Sequence, residues 1–587
     1  MATYDIVIKG GCIVDGTGAP RYAGDIGIGD GRIVRIGSDL PASEAVDVID
    51  ATGLVVAPGN IDPHTHYDAQ IHWDRYCTNT GWHGGSTVVV GNCGFGFMPC
   101  RASDRERYML MMENTEQVPL DAMRRALPWT WETFPEWVAH IRRLPKGINL
   151  ASYLPLNSLM IYVMGYEAAK SRGATAVERA RMRDLLNEAM DHGAIGFALS
   201  HLNEFNSHKD VDGTPMPTDT MDVEDAYLMA DVLRERGEGV IQALVQLPTV
   251  NNSHVAEELA RRSGRPVIHN VVVPFDTLPG YHEGILRWLD EMELKGLNIF
   301  SQALAFRAWN EFDAHNYNAW AHIAPFHELS HVGDAAAKAR LAADPGFRER
   351  ARAQYSPAEM VSGGGAVETF ILHKANGAAR WNRHEGKTFA CVAEEVGIPA
   401  IDCFLEVIAE SGCRADFRTT DAMSWDPDKL GAIMRHRRVL PGTSDGGAHI
   451  KFYSGGQFPT DLIMWLVREQ GLLSLEELHF KLSYLPARVL GLHERGALLE
   501  GFAADLYIYD YEQLGYDRNA YEVVHDLPGG DWRRTVRPMG IKVAMINGEV
   551  IAREGEMTEA TPGRLLGNAG AAMDQRLGAF DADLAAE

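Results

Sequence analysis

The strongest constraint on the fold is a change of rhythm near residue 58. From about 58 to 486, short apolar stretches alternate with helical ones. Ser86 to Gly91, Gly196 to Leu199, Gly239 to Leu244, Pro266 to Ile268, Leu297 to Phe300 and Val439 to Gly442 read as strands. Ala176 to His192, Val223 to Arg236, His254 to Arg262, Glu283 to Leu294 and Thr460 to Glu469 read as helices. Alternation of this kind places parallel strands inside and helices outside, so an α/β fold with a TIM-like (β/α)8 barrel is expected. Residues 305–425 break the rhythm and predict a mainly helical insertion over the barrel mouth.

The two ends read differently. Residues 1–57 are short strands with tight turns, among them Gly10-Gly11 and Gly29-Asp30-Gly31. Strand patterns return around Asp505 and Ile541, and Asn547-Gly548 is a hairpin turn. The expectation is one small β-sandwich built from 1–57 plus 487–566, wrapped around a barrel of 58–486, with a C-terminal arm at 567–587.

Within the barrel, Leu54 to Ala57 leads through Pro58-Gly59 to His64-Thr65-His66. Alternate residues of a strand share a face, so two imidazoles spaced i, i+2 can hold one metal ion. Cys93 ends the run Val88-Val89-Val90-Gly91-Asn92. A thiolate there is a zinc donor, and a small buried hydrophobe is the alternative. Asp445 follows Arg438 to Ser444 and precedes Gly446-Gly447. A strand-end carboxylate beside glycines can approach both a metal and a substrate. His449 fits a supporting or substrate-binding place in that loop.

Pro58 to Gln70, Gly91 to Phe97, Thr443 to His449, Arg495 to Asp505 and Pro562-Gly563-Arg564 together resemble the amidohydrolase superfamily, in its N-acyl-D-amino-acid deacylase (D-aminoacylase-like) branch. The resemblance runs over nearly the whole chain and is loose between about 300 and 430. It implies a barrel with a β-sandwich made from both ends, one or two zinc or other divalent ions, a homo-oligomer and a small-molecule substrate. It implies metal-dependent hydrolysis of a non-peptide C–N bond, that of an N-acyl (D-)amino acid or a related molecule. Carried onto this sequence, His64, His66, Cys93 and Asp445 are the metal ligands, and Asp445 is also the general base. Hydrolysis of a cyclic amide, carbamate or lactone, and a catalytically inactive ligand-binding relative, are the alternatives.

Two departures stand out. The branch completes its site with histidines on the fifth and sixth strands. Here the fifth, around Gly239 to Gln246, has none, and the sixth carries His269 about two residues out of place. Pro155 to Met160 also lacks an arginine that could pair with a substrate carboxylate. His201, His208, His269 and His449 are the remaining candidates for a second metal or for substrate. Of Trp129, Trp131, Trp137, Trp309 and Trp320, most are expected in the core.

A net charge of −25 disfavours nucleic acid as the partner. No apolar stretch is long enough to span a bilayer and no secretory signal is visible, so no membrane partner is expected. Seven irregularly spaced cysteines suggest a reducing, cytoplasmic setting.

Overall fold

The computed structural model describes residues 3–203, 208–248, 250–304, 306–419, 423–519 and 521–567. Of the expected C-terminal arm, 568–587 lie outside the described residues.

Eight parallel strand positions follow in chain order: Asn60–Asp62, Gly85–Val90, Asn149–Ser152, Gly196–Ser200, Val240–Leu244, Val267–Val272, Ile299–Ala303 and Val439–Pro441. They pair in two arcs. The third strand runs on through Tyr153 into Leu154–Pro155, which pairs with the fourth. The first and eighth meet just past their ends, where Thr65 bridges Gly446 in parallel. Gly85–Val90 is buried at every position. That explains its unbroken Val run, because a parallel strand is covered on both faces. The outer helices start where the sequence allows a cap. Thr175 and Glu178 form a capping box before Ala176–Asp191, and Ser474 and Glu477 form another before Leu475–His479.

The chain ends build one nine-stranded sheet. It curls around a shared apolar core that includes Ile13, Ile26, Ile49, Val56, Ile508 and Met545. Val55–Pro58 lies within it, parallel to Tyr4–Ile13 and antiparallel to Leu506–Tyr509. One residue later the chain enters the first barrel strand. Gly59 makes this passage because a Cβ there would collide with Ser86.

Three details differ from the sequence expectation. Leu565–Leu566 leave the terminal sheet and pair in parallel with the third barrel strand. Arg533 and Arg534 lie in a short hairpin, Glu522–Val524 with Arg533–Thr535, that lies against the barrel mouth. Arg533 reaches Asp74, and Arg534 reaches Glu311. The 305–425 region carries a three-stranded antiparallel sheet, Glu311–Asp313, Ile371–Lys374 and Asp416–Arg418, among its helices. Aromatic rings tie that sheet together: Phe312 stacks on Tyr317 at 4.0 Å, and Phe404 packs on Phe417 at 4.6 Å.

Trp131, Trp137, Trp309 and Trp320 are fully buried and serve packing; Trp129 is half-buried. No helix among the described residues is long and apolar enough to cross a membrane.

His479 joins the barrel layer to the terminal sheet through Tyr509, 2.9 Å from its Nε2. Burial pushes its pKa down to about 3. An unfolded histidine titrates near 6.5, so the folded state resists protonation. Its stability contribution is complete above that pH and is lost as pH falls towards 3. His479→Gln removes this penalty. The loss of unfolding free energy between pH 8 and pH 5, measured in urea, should be about 2 kcal/mol smaller in the variant. Equal losses in both proteins would refute the assignment.

Candidate metal centre

The first strand ends at Asp62, so His64 and His66 lie just beyond regular strand. What holds them is the intervening residue. The Thr65 amide and hydroxyl both donate to the Val89 carbonyl, at 3.2 and 2.6 Å. The His66 amide donates to the Gly446 carbonyl at 2.7 Å. Thr65 is thus pinned on both sides, and its neighbours turn inward together.

Asp445 adopts a left-handed backbone, φ 49°. The glycines after it are required by close approach. A Cβ on Gly446 would meet the Tyr67 ring at 2.7 Å, and one on Gly447 would meet the His66 carbonyl oxygen at the same distance. Ser444 locks the turn by donating to Asp62 at 2.6 Å and accepting from the Gly446 amide at 3.0 Å. Burial raises the Asp62 carboxyl to about 7, against the Ser444 and Thr80 hydrogen bonds. Cys93 also sits at positive φ, 55°, between Gly91 and Gly94.

These loops bring four donors together. Asp445 Oδ1 is 3.3 Å from His64 Nε2 and 3.9 Å from His66 Nε2. Cys93 Sγ is 3.6 Å from His64 Nε2. The donor atoms of His64, His66 and Cys93 all lie within 4.8 Å of one another. Donors at roughly 2.0–2.3 Å from a tetrahedral ion stand about 3.3–3.7 Å apart. The spacing therefore fits one ion, and the N, S and carboxylate donors suit zinc.

The electrostatics fit as well. Burial holds His66 well below the usual imidazole range, and the His64, His449 and His208 rings add to the effect. Its Nε2 lone pair stays available. Burial pushes the Cys93 thiol well up, and Glu116 and Asp445 push it further. A thiolate can persist there only beside a compensating cation.

Three inward amides surround this set. Gln302 Oε1 on the seventh strand lies 2.8 Å from His64 Nδ1, and the Asn270 amide on the sixth lies 2.7 Å from the same nitrogen. A proton on Nδ1, donated to Gln302 Oε1, leaves Nε2 as the donor to metal, and in that tautomer Asn270 Nδ2 packs against Nδ1 without a hydrogen bond. Gln242 on the fifth strand accepts the Cys93 amide at 2.6 Å.

The remaining sequence candidates separate. His269 does not join the site. It neighbours Asn270 on the strand, so its ring faces the opposite side, 5.0 Å from Trp288, with Nδ1 3.0 Å from Ser301 Oγ. Burial holds its pKa near 3. His201 turns its Nδ1–H to the Thr218 carbonyl at 2.7 Å. His208 stays near the centre, packed on Phe95 at 5.9 Å. Burial lowers it to about 4, with His449, His64 and His322 adding. His449 faces Glu116, its Nε2 3.7 Å from Oε2.

Sequence reasoning missed Glu116, Gln242, Asn270 and Gln302. The three amides were detectable as single polar residues at inward positions of apolar strands. Glu116, at the end of the helix Arg105–Glu116, has no local motif.

The Gln302 contact yields a prediction. Gln302→Leu removes the partner that orients His64, and should weaken metal retention by about 10–100-fold. Chelator competition measures it, and Gln302→Glu should restore retention. Unchanged affinity in Gln302→Leu would refute the role.

Known proteins share this frame. Residues 47–350 match the family described as the amidohydrolase family. An uncharacterized protein of Mycobacterium tuberculosis (strain ATCC 25618 / H37Rv) is 26% identical, over 94% of this chain and 92% of its own. The N-acyl-D-aspartate deacylase of Alcaligenes xylosoxydans xylosoxydans is 29% identical, over 87% of this chain and 86% of its own. The crystal structure of N-acyl-D-glutamate deacylase from Bordetella bronchiseptica, complexed with zinc and a phosphonate inhibitor, superposes with a TM-score of 0.64. It is 23% identical and covers 96% of this chain and 99% of its own, which establishes the shared fold. With more than half of its length matched by the family description, the chain belongs to the amidohydrolase family.

Proposed function

We propose that this chain is a metal-dependent hydrolase that removes the acyl group from an N-acyl amino acid, with acidic N-acyl-D-amino acids as the first class to test. One observation carries the proposal: the donors of His64, His66 and Cys93 lie within 4.8 Å of one another, and Asp445 Oδ1 lies 3.3 Å from His64 Nε2 and 3.9 Å from His66 Nε2. Likeness over most of the chain to a deacylase of N-acyl-D-aspartate supports the substrate class. It also favours a linear amide over a cyclic one.

In this reading His64, His66, Cys93 and Asp445 hold the ion, zinc by their donor chemistry. A bound zinc ion supplies a Lewis acid for the amide carbonyl and lowers the pKa of water.

The chain's own groups do the rest. Asp445 is 27% exposed, more open than either histidine, so its carboxylate reaches incoming substrate and water. It accepts a proton from the attacking water as the C–O bond forms, then delivers that proton to the departing nitrogen as the C–N bond breaks. Neutral His66 cannot compete for that proton. Gln302 keeps the His64 ring fixed through the cycle.

Recognition of the substrate carboxylate does not use the third-strand segment. Asn157 there accepts the Thr218 amide at 3.0 Å, and the segment carries no cation. All seven cysteines are unpaired, which supports a reducing compartment.

Asp445→Asn should lower turnover by about 10²–10⁴-fold. The assay is release of free amino acid from N-acetyl-D-aspartate, N-acetyl-D-glutamate, N-acetyl-D-leucine and their L forms, with zinc supplied. Full turnover in the variant would remove Asp445 as the base. Absence of hydrolysis of the whole panel by a zinc-loaded wild type would overturn the substrate class.

A further inference from the structure

Glu116 is a buried carboxylate near the centre that the proposed reaction does not use. It is 3% exposed. Its Oε2 lies 3.6 Å from His66 Nε2 and 3.7 Å from His449 Nε2. Its Oε1 has no hydrogen-bond partner. Among the described residues, no lysine or arginine lies within ion-pairing distance of it. A carboxylate buried among uncharged rings is costly to ionise unless a cation faces it.

The structure fixes Glu116 and His449 together. The His449 amide donates to the Glu116 carbonyl at 2.6 Å, so the helix end and the Asp445 loop are joined at these two residues. The 3.7 Å between their side-chain donors is the separation that two ligands take about one ion at roughly 2.0–2.2 Å. His66 Nε2 has a single lone pair, which the first ion takes. Glu116 is therefore left to His449.

We propose that Glu116 and His449 hold a second divalent cation beside the first. The fifth and sixth strands offer only Gln242 and Asn270, which lie against Cys93 and His64. The second ion is thus placed at the Glu116 helix end rather than deep in the barrel.

Oxygen and imidazole donors without a thiolate make it the weaker and less zinc-selective position. His449 is 23% exposed, so water can complete the shell. The proposal rests on the first ion being held by His64, His66, Cys93 and Asp445.

The test is metal stoichiometry rather than turnover. Full-length apoprotein is prepared with a chelator, then titrated separately with zinc and manganese. Bound metal is measured by elemental analysis after equilibrium dialysis, and binding by calorimetry. Wild type should take up two ions, one tight and one weak. Glu116→Gln and His449→Gln should each lose the weak one, with its affinity down by about 100-fold or more, and keep the tight one. Cys93→Ser should weaken the tight ion instead. Retention of the tight ion shows that each variant is folded.

Two ions in wild type and still two in both variants would overturn the assignment to Glu116 and His449. One ion in wild type at saturating metal would overturn the second position and leave the first standing. No ion at all would overturn the primary reading.

Discussion

Everything at the centre depends on the docking of the Asp445 turn against Thr65. The first and last barrel strands come from opposite ends of a domain nearly 400 residues apart in sequence, and they meet at one short parallel bridge between Thr65 and Gly446. That bridge faces His64 and His66 inward and sets Asp445 beside them. The two glycines after Asp445 keep the contact close, since any side chain there would strike Tyr67 or the His66 backbone. The electrostatic consequence follows from the geometry. Among the described residues no lysine or arginine pairs with the Asp445 or Glu116 carboxylates, and these groups with the Cys93 thiol are at ease only around a cation.

Much of this was legible in the sequence. The Val-rich run before Cys93 and the alternation of strands and helices pointed to the barrel, because covered parallel strands need continuous apolar residues. His64, His66, Cys93 and Asp445 were legible as motifs because each sits within a few residues of a strand end. The third strand, Asn149–Ser152, was missed: Asn-Leu-Ala-Ser is too polar and too short to resemble a buried strand. It is buried because Asn149 is held by the Arg564 amide and Asn547, partners about 400 residues away. Leu565–Leu566 was misplaced for the same reason, since a two-residue strand is defined only by its neighbour. Glu116 was invisible because its meaning arises from where its helix ends in space.

The amides on strands five, six and seven change the character of the barrel interior. Histidines there would offer lone pairs to a metal. Gln242 and Gln302 accept hydrogen bonds from Cys93 and His64 instead, and Asn270 packs beside the His64 ring. His269 could not replace them, since a shift of one residue along a strand moves a side chain to the opposite face.

The 305–425 region is coupled to this centre through His449. Its ring lies 5.3 Å from Phe452, which packs on Tyr317 at 4.7 Å, and Tyr317 stacks on Phe312 of the insertion sheet. On the other side, Gln117 and Asn318 link the Glu116 helix end to the same insertion. Glu116 and His449 are therefore the two groups of the centre whose positions depend on the insertion, whereas His64, His66 and Cys93 depend on barrel strands alone. A movement of the insertion would shift the first pair and leave the second set in place. The division between a rigid inner donor set and an adjustable outer one is built into which elements carry each residue.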